Sequence, residues 1–293
     1  METIGRQQLW SYVDDSQEAI VATSANIRRG AGHLIKSFFD LATKVAELQF
    51  RNRDHVLLFR GQCADYRNEK RNSTLKPSLF RPIKKKNPGS HTLINRFEIL
   101  RQAEASLVGE YERTDLLGLE RLRRHRIIRW SILQHYEVCP TPLLDVTHSL
   151  RIAASFATHG AEEEAFIFVV GVPNLSGGIT ASDEVGLQTI RLASVCPPSA
   201  VRPHIQEGYL LGEYPEMFEF PQKELYAHYE IDFGRRLVAK FRFNPKTFWK
   251  SDTFPLVSRR DLYPSQKRDP VYSLTFKVKQ AVDNRQEQYH VRS

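Results

Sequence analysis

An arginine and a glycine follow a short apolar run early in the chain. Residues 55–59 read His-Val-Leu-Leu-Phe and predict a buried strand that ends where Arg60, Gly61 and Gln62 begin. An arginine at a strand end can grip a phosphate or a carboxylate through paired hydrogen bonds, and a glycine beside it lets the backbone approach a ligand closely. The alternative is an arginine held in a structural ion pair at a turn.

A histidine and an aspartate are the next candidates for chemistry. His135 lies at the end of a predicted helix, where acid–base catalysis and a structural role beside Tyr136 fit equally well. Asp145 is flanked by apolar residues, so we expect it to be partly buried and to need a partner such as Arg60 or His135. A buried pair of this kind fits structure as well as catalysis.

Two hydroxyl groups precede a short predicted helix. Residues 149–158 carry an apolar face at helical spacing, and Ser149 is placed to cap the helix. The hydroxyls of Thr147 and Ser149 then lie at the start of this helix. We expect them to share one cleft with Arg60 and Asp145.

A later stretch supplies an amide and two carboxylates. The glycines and prolines between Pro203 and Glu224 predict a structured surface loop and no regular element. Either Glu207 or Glu224 can act as a catalytic carboxylate or be a solvated side chain, and the residues select neither. Gln206 can form hydrogen bonds in a non-catalytic pocket.

Hydrophobic spacing indicates how these residues are positioned. Residues 33–50 carry a helical stripe, and residues 92–136 predict two helices with a break near Thr114 or Gly118. Strands are predicted at residues 54–59, 165–172, 187–195 and 237–243. The expected fold class is α+β, with a helical front half packed on a mixed, mainly C-terminal β-sheet.

Several motifs in order resemble the FRG domain, a family named for its Phe-Arg-Gly motif. They are F-R-G-Q at residues 59–62, P-S-L-F-R at 77–81, L-Q-H-Y at 133–136, P-T-P-L-L-D-V-T-H-S at 140–149, S-F-A at 155–157 and R-P-H-I-Q-E-G-Y at 202–209. The resemblance spans residues 33–265, which implies an N-terminal extension over residues 1–32 and a C-terminal extension over residues 266–293.

The chain departs from the FRG pattern at three positions. Glu137 with one extra residue replaces a glycine, Pro142 replaces a second arginine, and Val146 replaces a tryptophan. If the arginine that the family has at the position of Pro142 normally binds a ligand, we expect this chain to bind that ligand with altered affinity or to use another basic residue such as Arg151.

A second resemblance is to ADP-ribosyltransferases of the Arg-Ser-Glu type. It rests on Phe59-Arg60-Gly61, Thr147-His148-Ser149 and the Ala153–Ala157 helix face, which occur in that order. It implies a transferase-like fold and an enzyme that uses NAD as a substrate to modify a macromolecular target. It also implies Arg60 on phosphate, with Gly61 and Gln62 beside it, and Thr147 and Ser149 on ribose.

The same resemblance implies that Glu207 or Glu224 stabilises the positively charged ribose as nicotinamide leaves. His135 and Asp145 are the acid–base candidates. The alternative hypothesis is a non-catalytic module that senses a nucleotide or phosphorylated metabolite and acts through a protein partner.

Composition limits the remaining possibilities. The 293 residues include 42 Lys and Arg against 34 Asp and Glu, and this net charge of +8 suits a phosphate-bearing ligand without requiring nucleic acid. The basic run 120–129 is interpreted as a solvated helix face in preference to a polynucleotide contact. The three cysteines are far apart and lack the spacing of metal ligands, which predicts a cytoplasmic protein without a metal. No apolar stretch approaches about 20 residues, so we expect no membrane span.

Overall fold

Helices and strands are interspersed along the whole chain. The computed structural model describes residues 7–83, 86–224, 231–250 and 254–292. The strands are β1 (Leu9–Ser11), β2 (Ile20–Ala22), β3 (His33–Leu34), β4 (Val56–Gln62), β5 (Leu144–Thr147), β6 (Ala165–Val172), β7 (Ile179–Ser182), β8 (Leu187–Arg191), β9 (Gly208–Glu213) and β10 (Leu237–Phe243). The helices are α1 (Ser24–Arg29), α2 (Phe38–Arg51), α3 (Ser90–Tyr111), α4 (Leu119–Arg124), α5 (Arg126–His135), α6 (Leu150–Thr158), α7 (Leu192–Val195), α8 (Val201–Ile205), α9 (Phe220–Glu224), α10 (Pro245–Phe248), α11 (Arg259–Leu262) and α12 (Pro270–Arg292).

The chain forms two compact units, each assembled from separate segments. The first unit contains Met1–Lys76, Val146–Ser176 and Asp232–Leu262. The second unit contains Pro77–Asp145, Gly177–Ile231 and Tyr263–Ser293. Each unit combines helices and strands, which confirms the α+β class.

The first unit is built on a sheet with β6 near its centre. Strand β6 pairs antiparallel with β4 on one side and with β10 on the other, and β3 lies parallel to β10. One face of this sheet carries Phe59, Val169 and Phe241, which pack against α2 and α6 in a single hydrophobic core. The fully apolar β6 is buried along its whole length, as expected of a central strand.

Residues near the start of the chain complete this core. Leu9 and Tyr12 are buried in it, and the side chain of Asn52 donates to the carbonyl of Trp10 while accepting from the Trp10 N–H. These residues fall in the predicted N-terminal extension. The domain boundaries at residues 33 and 265 stay a prediction.

The second unit has its own hydrophobic core. Helices α3, α5 and α12 contribute to it, together with residues of the antiparallel ladder β7–β8–β9 such as Ile190 and Leu210. Helix α12 places Val271, Leu274 and Val278 in the core, although it falls in the predicted C-terminal extension.

The predicted boundaries around β8 and β9 were wrong. Strand β8 ends at Arg191 and helix α7 follows it, and the predicted loop 203–224 contains strand β9 and helix α9. The glycines of β9 make room for neighbours, because a Cβ at Gly208 would lie 2.7 Å from Leu192 Cδ1 and a Cβ at Gly212 would lie 2.7 Å from Leu143 Cδ2.

Other predictions agree with the structure. Strands β6 and β10 have the predicted bounds, and Ser149 accepts a hydrogen bond from the Ile152 N–H as the cap of α6. The break in the long helical region is present, and it separates α3 from two further helices where one was predicted. Among the described helices, none has both the length and the apolar character needed to cross a membrane.

Candidate functional site

Arg60 lies inside a strand and not at its end as predicted. Gly61 and Gln62 continue the antiparallel pairing of β4, opposite Ile167 and Phe166 of β6. Successive side chains of a strand project to opposite faces, so Arg60 and Gln62 project away from the core face that carries Phe59. The strand therefore presents the guanidinium and the amide on one surface of the sheet.

Gly61 makes room for helix α6. A Cβ built on Gly61 would lie 1.8 Å from the carbonyl oxygen of Ala153 and 2.7 Å from the backbone nitrogen of Ala157. The close approach expected at this glycine is present, but a helix and not a ligand makes it. The small side chains of α6 on this face allow the same contact from the other side.

The turn between β5 and α6 holds the two candidate hydroxyls. Thr147 Oγ1 accepts a hydrogen bond from the Ser149 N–H at 3.0 Å, and Ser149 Oγ caps α6. Thr147 pairs with Phe59 of β4 and so shares its face of the sheet, opposite to Arg60. Ser149 lies beyond the end of β5, so the strand pairing does not determine the side of the sheet on which its hydroxyl lies.

Lys240 is a second cation on the face that carries Arg60. It lies opposite Phe168, which in turn lies opposite Arg60. Its ammonium donates to Gly30 O at 2.5 Å, Ser73 Oγ at 2.9 Å and Asp65 Oδ2 at 3.0 Å, and burial lowers its pKa. Sequence reasoning missed this residue, although the alternation of β10 separates Lys240 and Arg242 from the apolar positions.

In the second unit, three of the predicted motifs meet at Gln134. Its Oε1 accepts from Ser78 Oγ at 3.1 Å and from Thr141 Oγ1 at 2.5 Å, and its Nε2 donates to Asp145 Oδ2 at 2.5 Å. The other carboxylate oxygen of Asp145 lies 3.4 Å from His135 Nδ1, so His135 is one of the partners expected for Asp145. Gln134 was missed, and its place in the L-Q-H-Y motif was the available signal.

His135 is a buried imidazole. Burial lowers its pKa, the hydrogen bond with Asp145 opposes this effect, and the charge of Arg202 lowers the pKa further. The ring is therefore neutral near pH 7. A Cβ at Gly208 would lie 3.3 Å from His135 Cε1, so the glycine of β9 leaves room for the ring.

The remaining candidates lie in the stretch from the end of α8 to the end of α9. Gln206 is the buried residue that ends α8, and Glu207 is exposed with a φ of 45° in the left-handed region. Glu224 ends α9, and its side chain falls outside the described part of the chain. The choice of a catalytic carboxylate thus stays a prediction.

A buried aspartate anchors the C-terminal helix beside this group. Asp269 accepts from the Tyr136 hydroxyl at 2.8 Å and from the Arg202 N–H at 3.0 Å, and it caps α12 by accepting from the Val271 and Tyr272 N–H groups. Helix α12 is therefore joined to the last turn of α5, where His135 lies. Sequence reasoning did not single out Asp269, since its partners are distant in the chain.

Arg202 is fixed from several sides. Its Nη2 donates to Glu137 Oε1 at 2.8 Å, and its guanidinium lies 4.5 Å from the centre of the Tyr263 ring. Glu137 is one of the departures from the FRG pattern, and here it supplies the carboxylate of an ion pair.

The basic run of α4 and α5 is paired with glutamates. Arg123 binds Glu112 and Glu120, while Arg126 and Arg129 both contact Glu104. These ion pairs agree with the interpretation as a helix face. Among the described residues, no three His, Cys, Asp or Glu side chains are grouped so that they could hold a metal ion.

Comparison with known families identifies the segment that contains most of these motifs. The family model for the FRG domain matches residues 55–165. The chain carries an FRG domain. No curated protein and no solved structure matches the chain.

The FRG match includes β4, the Gln134–Asp145 network and α6, which together hold Arg60, His135, Asp145, Thr147 and Ser149. It does not extend to Gln206, Glu207 or Glu224, nor to β10 and α12. The match therefore covers parts of both units.

Proposed function

We propose that this FRG-domain protein binds NAD and transfers ADP-ribose to a macromolecular target, with an ADP-ribosyltransferase-like fold. One observation carries the proposal. Strand β4, which carries the Phe-Arg-Gly motif, pairs directly with strand β5, which ends at the first residue of the Thr-His-Ser motif. The pairing joins Phe59 to Thr147, and the following helix α6 packs on Gly61. Motifs that are 88 residues apart in the chain, from Phe59 to Thr147, thus form one local arrangement.

In the proposed reaction, the bond between ribose C1′ and the nicotinamide nitrogen breaks, and nicotinamide leaves with the bonding electron pair. A nucleophile of the target then attacks C1′ and loses its proton. Arg60 binds the pyrophosphate, with Gly61 and Gln62 beside it, because a guanidinium forms paired hydrogen bonds with phosphate oxygens. Ser149 orients the ribose, and Thr147 contributes by holding the Ser149 turn, because its hydroxyl accepts from the Ser149 N–H.

The other candidate residues have proposed roles in the same reaction. Glu207 or Glu224 stabilises positive charge on the ribose, and Gln206 binds the ligand by hydrogen bonds. The neutral His135 accepts the proton of the nucleophile, and Asp145 orients the imidazole. We place this activity in the cytoplasm, where the three cysteines stay reduced.

A sensing module is the second candidate, and the network around Asp145 favours it. Both carboxylate oxygens of Asp145 are engaged, by Gln134 and His135, which is typical of a structural carboxylate. In this alternative the protein binds a nucleotide or phosphorylated metabolite through Arg60 and acts on a protein partner, without cleaving the ligand.

Labelled NAD separates the two candidates. We expect nicotinamide release and transfer of label to a component of a cell extract, and calorimetry should show NAD binding. Arg60→Lys should fold normally and bind NAD at least about tenfold more weakly, because lysine keeps the charge and loses the paired geometry. Arg53→Lys, at an exposed position of the same unit, is the matched control.

The results assign the function. Binding without nicotinamide release supports the sensing module, and binding that is unchanged in Arg60→Lys refutes both candidates. If Arg60→Lys unfolds as readily as Arg60→Ala while retaining its ligand, Arg60 is a structural residue.

A further inference from the structure

A short hairpin follows the Phe-Arg-Gly strand in the first unit. Its two arms meet at an antiparallel bridge between Arg67 and Ser73. At the tip, the Asn72 N–H donates to Asn68 Oδ1 at 3.0 Å, and the Asn68 N–H donates to the Asn72 carbonyl at 2.9 Å. We refer to residues 66–74 as the basic hairpin.

Buried groups anchor the base of the basic hairpin to the rest of the first unit. Ser73 Oγ donates to the Arg28 carbonyl at 3.1 Å and accepts from the buried ammonium of Lys240 at 2.9 Å. The same ammonium binds Asp65, which also pairs with Arg67 at 2.8 Å. The hairpin is therefore fixed in shape before a ligand binds, and this reduces the entropy lost on binding.

One arginine joins the hairpin tip to the end of helix α1. Arg67 Nη1 donates to the carbonyls of Arg29 and Arg71, at 3.0 Å and 3.1 Å. Because a single nitrogen binds both carbonyls, the backbone at Arg29 lies beside the backbone at Arg71. Arg71 has a φ of 60°, in the left-handed region that favours glycine or asparagine, and this position carries a cation instead.

The surface around the tip carries an excess of positive charge. Arg29, Lys70 and Arg71, which we call the hairpin cations, are exposed, and among the residues that the structure describes no acidic side chain pairs with them. Glu69 is the acidic residue of the tip, so positive charge predominates. Arg123 of α4, by contrast, is paired with two glutamates. The hairpin cations therefore favour an anionic ligand.

An exposed aromatic ring belongs to the same hairpin. Tyr66 is 56% exposed. Successive residues of an extended arm project to opposite faces, so Tyr66 lies on the face opposite Arg67 and Ser73, whose side chains bind the rest of the unit. A ring next to lysine and arginine is typical of surfaces that bind single-stranded nucleic acid, because unpaired bases stack on the ring while phosphates bind the cations.

We propose that the basic hairpin binds single-stranded nucleic acid, with an unpaired base stacked on Tyr66 and phosphates bound by the hairpin cations. An acidic peptide offers carboxylates and no flat base to cover the ring, and the bases of a duplex already stack on each other. The contacts involve phosphate and base and no sugar hydroxyl, so DNA and RNA strands should bind alike. This binding needs no NAD and goes beyond the proposed transferase activity.

Fluorescence anisotropy with the full chain tests the proposal. Labelled oligothymidylate and oligouridylate of about 12 nucleotides should both bind saturably, with affinities within about threefold of each other. Their affinity should fall as salt rises, because binding releases counterions from the phosphates. An unlabelled decaglutamate peptide should compete at least about tenfold less well than an unlabelled oligonucleotide.

Charge variants locate the phosphate contacts. Lys70→Gln combined with Arg71→Gln should weaken binding about tenfold and lower the slope of log Kd against log salt by about 1.4, since each phosphate contact of a single strand contributes about 0.7. Arg121→Gln combined with Arg124→Gln is the matched control, because it removes two exposed positive charges from α4 and should change neither quantity. A thermal unfolding temperature equal to that of the unmodified protein verifies that each variant is folded.

Variants of Tyr66 separate base stacking from charge. Tyr66→Leu should weaken single-strand binding about tenfold and leave its salt dependence unchanged, because the substitution removes the ring and no charge. Tyr66→Phe keeps the ring and should bind as the unmodified protein does. Neither variant should change the binding of a duplex of the same length, whose bases are not free to stack on the ring.

Several results would overturn the proposal. They are the absence of saturable binding, a loss of affinity in the α4 control as large as in the hairpin variant, or decaglutamate that competes as well as an oligonucleotide. Tyr66→Leu that binds a single strand as tightly as the unmodified protein would contradict the assignment as well. NAD is absent from every one of these measurements, so their outcome is independent of the proposed transferase activity.

Discussion

Replacing Gly61 with alanine tests the packing of the Phe-Arg-Gly strand against helix α6. The added Cβ would lie 1.8 Å from the Ala153 carbonyl oxygen, whereas ordinary contact distances begin at 3.4 Å. The obstacle is backbone, so no side-chain rotation relieves it, and α6 must move away from β4. That movement opens the contact between α6 and Phe59 in the core of the first unit.

We expect Gly61→Ala to lower the free energy of unfolding by about 3 kcal/mol or more, at the upper end of the range for overpacked cores. For a chain of this length, that corresponds to a fall in Tm of roughly 6 °C. Urea unfolding should be followed by circular dichroism and by tryptophan fluorescence, since two units need not unfold in one step.

Gly109→Ala is the matched control. Gly109 lies within α3, and among the described residues no atom beyond its own stretch of helix lies within 4 Å of the added Cβ. Alanine should therefore stabilise the helix by about 0.5–1 kcal/mol. If Gly61→Ala unfolds at the same urea concentration as the unmodified protein, the reasoning about α6 is refuted. Ala153→Gly should not rescue Gly61→Ala, because the clash involves the Ala153 carbonyl.

Three further predictions concern buried polar groups. Asp232→Ala leaves Arg28 buried without its ion-pair partner and should lower the free energy of unfolding by about 3–5 kcal/mol, as measured by urea unfolding. Arg101→Ala, which removes an exposed ion pair, should not change the free energy of unfolding measurably. Asp269→Ala removes the cap of α12 and should make that helix the first site of cleavage in limited proteolysis, with Asp261→Ala, at an exposed position, cleaved at the rate of the unmodified protein. Burial lowers the pKa of His135 below 6.5, so the unfolded state binds more protons than the folded state, and the free energy of unfolding should decrease as pH falls through 6.5. If a His135→Gln variant loses stability equally steeply, His135 is not the group responsible.

The predictable parts of the fold are those in which local sequence and tertiary environment agree. Strand β6 is an unbroken apolar run that is buried throughout, and α6 begins at a serine that caps it. Strand β9 was missed because its glycines are typical of loops, while their actual role is to accommodate Leu192 and Leu143 from other elements. That role depends on tertiary neighbours, which spacing along the chain does not reveal.

The same distinction applies to the candidate site. The local apolar context predicts that Asp145 needs a partner, but it leaves Arg60 and His135 open as that partner. The structure places His135 beside it. Lys240 could not be identified in this way, since its burial requires acceptors from Gly30, Asp65 and Ser73, far away in the chain. The sequence alone does not distinguish a lysine with three distant acceptors from any other lysine on a strand.

The division of the chain into interleaved segments has a consequence for folding during synthesis. The first core needs Phe241 and Phe248 as well as Leu9, and the second needs Val282 as well as Leu79. A ribosome therefore releases nearly the whole chain before either core can close, and early apolar segments such as β4 and β6 must wait for distant partners. The segment 55–165 that matches the FRG family supplies pieces to both cores and completes neither. Expressed alone, it should expose apolar surface and aggregate.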